Sequence, residues 1–281
     1  NGNLEYITMQ FPLWRRYVAM SVGLNPYSAV GYNFALSSSI DSAYHHTKNY
    51  SGEGGFTQVY GGLSVNICDW VALGANVYYM FGETTQKRAL NFDDANIKSV
   101  EQGDYLRVNS LRLRYGAQLF HTFGKHNVVL GGMFEAKQRF SKCEYKQIEK
   151  NTNDTVLSMD TGFEMPMVYG AGLSYSYDNR LTIALDYQCQ DWSKVLYFNS
   201  QDELSSRHRW AVGVEYRNDP TSRKFVDRMY WRMGANYTTS YTNQYNQPNI
   251  AITMGFGFPL RTIGTVVNTT FEYGLVFHSP I

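Results

Sequence analysis

Arg112 and Arg114 stand two residues apart, and so do Glu135 and Lys137. Residues two apart in an extended chain share a face. Each pair lies on the less apolar side of a segment that alternates apolar with polar residues. Asp186, Arg209, Glu215, Arg232 and Glu272 hold the same kind of position in other segments. Two chemistries fit such residues. Charges of both signs can form a ladder of ion pairs and hydrogen bonds that offsets the cost of enclosing them. Alternatively, a guanidinium from Arg112, Arg114, Arg209 or Arg232 can take the carboxylate of an anionic ligand. The ladder is the plainer reading, because the signs are intermixed and not gathered into a constriction.

Other chemistry finds little support. No nucleophile elbow, phosphate loop, HExxH or paired-carboxylate signature occurs. Ser and His are present, but no local motif joins them into a hydrolytic site, so no enzyme activity and no cofactor are expected. His45-His46 has no Cys or carboxylate at ligand spacing and reads as solvated, not as a metal site. Cys68, Cys143 and Cys189 are scattered and odd in number, which argues against a disulfide framework.

The positioning elements are strands. Ser205–Tyr241 shows the pattern most clearly. Trp210, Val212, Val214 and Tyr216 share one face, and Arg209, Ala211, Gly213, Glu215 and Arg217 share the other. After a polar turn at Asn218–Arg228, Trp231, Met233, Ala235 and Tyr237 oppose Arg232, Gly234, Asn236 and Thr238. Period-two alternation means strand. Charges of both signs beside glycines suit a wet, enclosed interior better than bulk water, and that is the pattern of a transmembrane barrel wall.

The same alternation recurs at Leu4–Pro12, Arg16–Leu24, Phe56–Ile67, Val71–Gly82, Tyr105–Phe123, Asn127–Phe140, Phe163–Tyr177, Leu181–Asp191, Asn249–Leu260 and Thr265–Phe277. With the two strands above, twelve are legible. Connections after odd strands are mostly short: Leu13–Arg15, Cys68–Trp70, Gly124–His126, Asp178–Arg180 and Arg261–Gly264. The others are long and polar: Ser37–Gly55, Glu83–Asp104, Ser141–Gly162, Trp192–Leu204 and Thr242–Pro248. Sorting of loop lengths by end is expected of an outer-membrane barrel, with short periplasmic turns and long external loops. Asn25-Pro26 interrupts the second strand, and alternation resumes at Val30–Leu36. Trp70, Trp192, Trp210 and Trp231 lie near strand ends, where an interfacial girdle would use them.

Composition agrees. The 281 residues carry a net charge of +1, which offers no basic face to nucleic acid. Mean hydropathy is −0.38. No apolar run approaches the roughly 18 residues of a membrane helix. A barrel remains open because only alternate residues need be apolar. The chain opens on Asn1, not Met, and closes on His278-Ser279-Pro280-Ile281, so further residues are expected at both ends. Nothing marks a second domain, and residues 1–281 read as one barrel.

Several stretches resemble a known family: GNLEYITMQFPL (2–13), LNPYSAVGYNF (24–34), GGFTQVYGGLSV (54–65), VALGANVYYMFG (71–82), LRYGAQLFHTF (113–123), RWAVGVEYRNDPTSRKFVDRMYWRMGANY (209–237) and ITMGFGFPLR (252–261). They are similar to the FadL/TodX-like outer-membrane transport proteins of the Bacteroidota. The resemblance implies an all-β, transmembrane, antiparallel up-and-down barrel of about fourteen strands, an even number as such barrels require. It implies an N-terminal hatch outside this chain, and passive uptake of long-chain fatty acids or other hydrophobic compounds. Ligand would leave sideways through a gap at a kinked strand. Gly23, Asn25 and Pro26 stand where that kink would fall; the alternative is that Pro26 simply begins an external loop.

Passive uptake of a hydrophobic molecule is thus the leading expectation, with membrane lipids and that molecule as partners. A second expectation belongs to another class: a non-transporting structural barrel in an outer-membrane assembly or secretion complex, bound to other barrels or lipoproteins. A lumen crossed by Arg–Glu pairs would favour the second.

Overall fold

A computed structural model describes residues 6–15, 17–41, 44–92, 99–140, 142–150, 155–159, 163–196, 204–219, 221–241, 248–260 and 265–276. The elements in order are β1 (Ile7–Trp14), β2 (Val18–Asp41), β3 (Tyr44–Cys68), β4 (Val71–Phe92), β5 (Val100–Phe123), β6 (His126–Glu135), β7 (Gln138–Arg139), β8 (Lys142–Lys150), β9 (Thr155–Met159), β10 (Glu164–Met165), β11 (Met167–Tyr177), β12 (Leu181–Asp191), a 3-10 turn (Trp192–Lys194), β13 (Arg207–Tyr216), α1 (Phe225–Arg228), β14 (Tyr230–Thr238), β15 (Asn249–Pro259) and β16 (Val266–Val276).

Twelve strands form the wall in the order β1-β2-β3-β4-β5-β6-β11-β12-β13-β14-β15-β16, every neighbour antiparallel. The legible spans map onto these strands one for one. Side chains sort inside out. Leu63, Leu113, Leu130, Phe134, Leu185, Val212, Met233 and Ile252 are exposed on the outer face. Arg112 and Glu135 are buried on the inner one. Such an arrangement is unfavourable in water and favourable where lipid covers the apolar face.

The long connections depart from expectation. Strands β2, β3, β4 and β5 run 22 to 25 residues, against 9 to 11 for β11 to β16. A tilted span needs roughly 9–11 residues. The surplus rises about 40 Å past the membrane at about 3.3 Å per residue. Most of Ser37–Gly55 and Glu83–Asp104 is therefore strand, not loop, and β8 and β9 extend the same sheet from the edge of β5. Outside lipid neither face must be apolar, so the period that marks a strand disappears from the sequence.

The extension departs from the barrel along a line of backbone irregularities. In β2 the register slips between Pro26 and Ser28, leaving Tyr27 bulged. Gly54 in β3 has φ +105 and Gly82 in β4 has φ +147. A Cβ on Gly54 would meet the Glu83 carbonyl oxygen, and one on Gly82 the Gly55 carbonyl oxygen. Only glycine takes this conformation cheaply. Pro26 does not start a loop: β2 runs through it as one bulged strand.

The Asn218–Arg228 turn folds over on itself and contains α1. The turn at Arg261–Gly264 and the terminal residues His278–Ile281 lie outside the described residues. Cys68 and Cys189 are free thiols.

Candidate functional site

The lumen is stacked in layers. At its outer level Met80 of β4, Val108 of β5 and Met165 of β10 pack together at 1%, 0% and 3% exposure. Phe56, Leu106, Phe140 and Trp192 close around them. Met80 and Val108 point inward because the alternation that turns Tyr79 and Leu111 to lipid turns even-numbered residues to the axis. Met165 arrives differently. The chain leaves β6 at Glu135, turns inward, and forms the small β7–β10 ladder, Arg139 opposite Glu164 and Gln138 opposite Met165. The Lys137 ammonium pairs with Glu164 at 2.7 Å and also donates to the Lys194 carbonyl, tying this insert to the 3-10 turn. The result is an apolar stopper with polar fastenings.

Beneath it lies a charged layer. Glu135 is directly opposite Arg114 in the β5–β6 register. Its carboxylate accepts from both Arg112 and Arg114 and is 2% exposed. Arg114 also donates to the Tyr78 hydroxyl at 3.0 Å, its guanidinium 4.7 Å from the Tyr78 ring centre. Arg112 lies 5.6 Å from the ring of Tyr27, the bulged residue of β2. One carboxylate and two aromatic rings thus hold two guanidinium groups that could not stay enclosed alone.

Below that layer a cavity of about 740 Å³ is lined by Gln10, Ser21, Asn76, Gln118, Asp186 and Gln188, with Gly74, Gly116 and Gly172 between them. A Cβ on Gly172 would collide with the Asp186 carboxylate directly opposite it. The glycines make room for polar side chains to lie flat on the wall. A second pair, Glu215 and Arg232, sits directly opposed near the turn end at 2.6 Å. Arg232 also donates to Asn268 at 2.6 Å.

The structure thus brings together Arg112, Arg114 and Glu135 in one cluster, and Glu215 with Arg232 in another. Arg209, Asp186 and Glu272 make no ion pair among the described residues. Lys137 lies beyond the end of β6, in the stopper and not on a strand face. Gly23 and Asn25 lie in unbroken strand, two register steps from each other and just below the bulge. Trp70, Trp210 and Trp231 are exposed on the outer wall. Trp192 is a correction: it packs inward on the stopper, because the 3-10 turn at Trp192–Lys194 folds the chain back over the lumen. Sequence reasoning missed Tyr27, Tyr78 and the whole Phe163–Pro166 segment. The aromatic–Arg pairs depend on neighbouring strands and leave no trace in one segment.

Among solved structures, the chain is similar to a Pseudomonas aeruginosa FadL homologue at TM-score 0.67 and 12% identity, covering 97% of this chain and 70% of that one. It is similar to the CymD monoaromatic hydrocarbon channel at TM-score 0.60 and 12% identity, covering 97% and 77%. The Pseudomonas putida toluene transporter TodX gives 0.54 and 12%, covering 96% and 80%. No curated protein matches the chain. The resemblance drawn from motifs therefore holds as a likeness of fold, and the chain is a β-barrel of the bacterial outer membrane. The family model that matches carries a different name: it is that of BamG, it spans residues 1–275, and the chain belongs to the BamG family.

Proposed function

We propose that this chain is a non-transporting structural barrel, a subunit of an outer-membrane assembly complex. The observation that supports it is the lumen. A path for a hydrophobic compound needs a mostly apolar, accessible pocket. Here the apolar level is packed solid by Met80, Val108 and Met165. The accessible level is not a clean apolar path: Gln10, Asn76, Gln118, Asp186 and Gln188 interrupt its apolar lining. The best-placed guanidinium groups, Arg112 and Arg114, already share Glu135. Membership of the BamG family agrees with this reading.

Uptake of a hydrophobic compound is the second reading, favoured by the fold it shares with channels for such compounds and by the bulge at Tyr27. In it, Arg209 would be the guanidinium still available for a carboxylate. Vesicle uptake separates the two. Purified protein in lipid vesicles should admit a labelled long-chain fatty acid or toluene no faster than protein-free vesicles. Saturable uptake, abolished by Arg209→Ala, would establish transport and overturn the structural reading.

A further inference from the structure

The end of the barrel that carries the short connections faces the periplasm. There the Asn218–Arg228 turn leans against the lipid side of the wall. The Phe225 ring lies parallel to that of Phe258, at 4° and with ring centres 6.4 Å apart. Phe258 shares its face of β15 with Ile252 and Met254, which are exposed on the outer wall, and stands opposite Val267, which is exposed too. Two residues along the same face, Phe256 meets Trp231 edge to face at 5.3 Å. Phe225 and Val226 nevertheless stay 46% and 62% exposed. Apolar and aromatic side chains at the rim of a membrane wall are covered by the glycerol and upper acyl region of the leaflet.

Arg223 and Lys224 come immediately before them and are exposed. Neither has a carboxylate within ion-pair distance among the described residues. The carboxylates of their own turn are engaged elsewhere. Asp219 accepts from the Thr221 amide and hydroxyl, and Asp227 accepts from Asn218 and Ser222. These bonds hold the turn in shape, so the two cations are presented from a fixed place. The neighbouring turn treats its cations differently: Lys125 and Arg180 both pair with Asp178, at 3.2 and 3.5 Å.

Two cations thus stand beside two exposed apolar side chains at the edge of the hydrocarbon. A soluble phosphate would match the charges and leave Phe225 and Val226 in water. An acidic protein would have to reach the charges at a spot where Phe225 already lies on the lipid face. A glycerophospholipid supplies both halves, with phosphate oxygens for Arg and Lys next to glycerol and acyl chains. We propose that Arg223, Lys224, Phe225 and Val226 form a binding site for an anionic glycerophospholipid of the periplasmic leaflet. The site stands on either reading of the lumen.

The test uses the full-length protein in nanodiscs made mostly of phosphatidylethanolamine. A photoreactive phosphatidylglycerol, its reactive group near the glycerol, should label Arg223–Val226 about tenfold more than a matched photoreactive phosphatidylethanolamine does. The Arg223→Gln, Lys224→Gln double variant should lose that preference and keep the compact, heat-sensitive gel mobility of a folded barrel. Lys125→Gln should leave the preference unchanged. Equal labelling of the wild type by the two lipids would overturn the proposal. So would a preference that the double variant retains, or one that Lys125→Gln removes equally, since that would be diffuse charge and not a site. In the native outer membrane, a photoreactive phenylalanine analogue at position 225 should capture phospholipid. Capture of a protein there instead would make this face a protein interface and would also overturn the proposal.

Discussion

Glu135 is the residue on which the charged layer depends. It is 2% exposed and is shared by Arg112 and Arg114. Removing one partner of a buried ionic group leaves the others uncompensated, at a cost of about 3–5 kcal/mol. Glu135→Gln should therefore lower the urea midpoint of the barrel in lipid by an amount equivalent to roughly that energy. Glu215→Gln breaks a pair whose side chains are 34% and 37% exposed, so its effect should stay near or below about 1 kcal/mol. Equal effects would mean that the buried cluster is not special. Gly82 offers a backbone test. At φ +147, with the Gly55 carbonyl oxygen where a Cβ would go, Gly82→Ala should destabilise by on the order of 1–3 kcal/mol. An unchanged midpoint would show that the backbone at Gly82 tolerates a side chain.

At the scale of elements, the turn around α1 is built differently from the other short connections. Asp219 accepts from the Thr221 amide at 2.9 Å and its hydroxyl at 2.8 Å. Asp227 accepts from Asn218 at 3.0 Å and Ser222 at 2.9 Å. The Thr221 amide holds the Asp219 carboxyl below the usual carboxylate range, and the Asn218 side chain does so for Asp227. A depressed carboxyl contributes stability above its unfolded value, about 4, and loses it as pH falls through the lower folded value. Amide protection at Asn218–Asp227 should thus fail below about pH 4 while the strands stay protected. Protection that is flat with pH would show that the backbone alone holds the turn. The stopper is the other element with its own test. Replacing Phe163–Pro166 by a Gly-Ser linker should turn a silent barrel into an ion-conducting one in planar bilayers. An already conducting wild type would contradict the packing of Met165 on Met80 and Val108.

At the scale of the molecule, lipid explains what could be read in advance. It requires an apolar residue at every second position, so all twelve spans and most short turns were legible as alternation. Arg114, Glu135, Glu215 and Arg232 were legible as inward for the same reason, but their pairing was not, because register belongs to two strands at once. The extension of β2 to β5 had no such marker, and the polar stretches there looked like loops. The stopper was hidden too. Phe163, Met165 and Trp192 obey no period, and the insert that carries them is defined by what it packs against. Reading Trp192 as a membrane anchor failed on that point. On the proposed reading, the chain is a wall element whose work is done through its neighbours. The most direct measurement is the native mass of the tagged chain extracted from its own outer membrane in mild detergent. The prediction is one species of fixed stoichiometry containing this chain and another barrel or lipoprotein. A chain that emerges alone, with a hydrophobic small molecule bound in its lumen, would contradict the account.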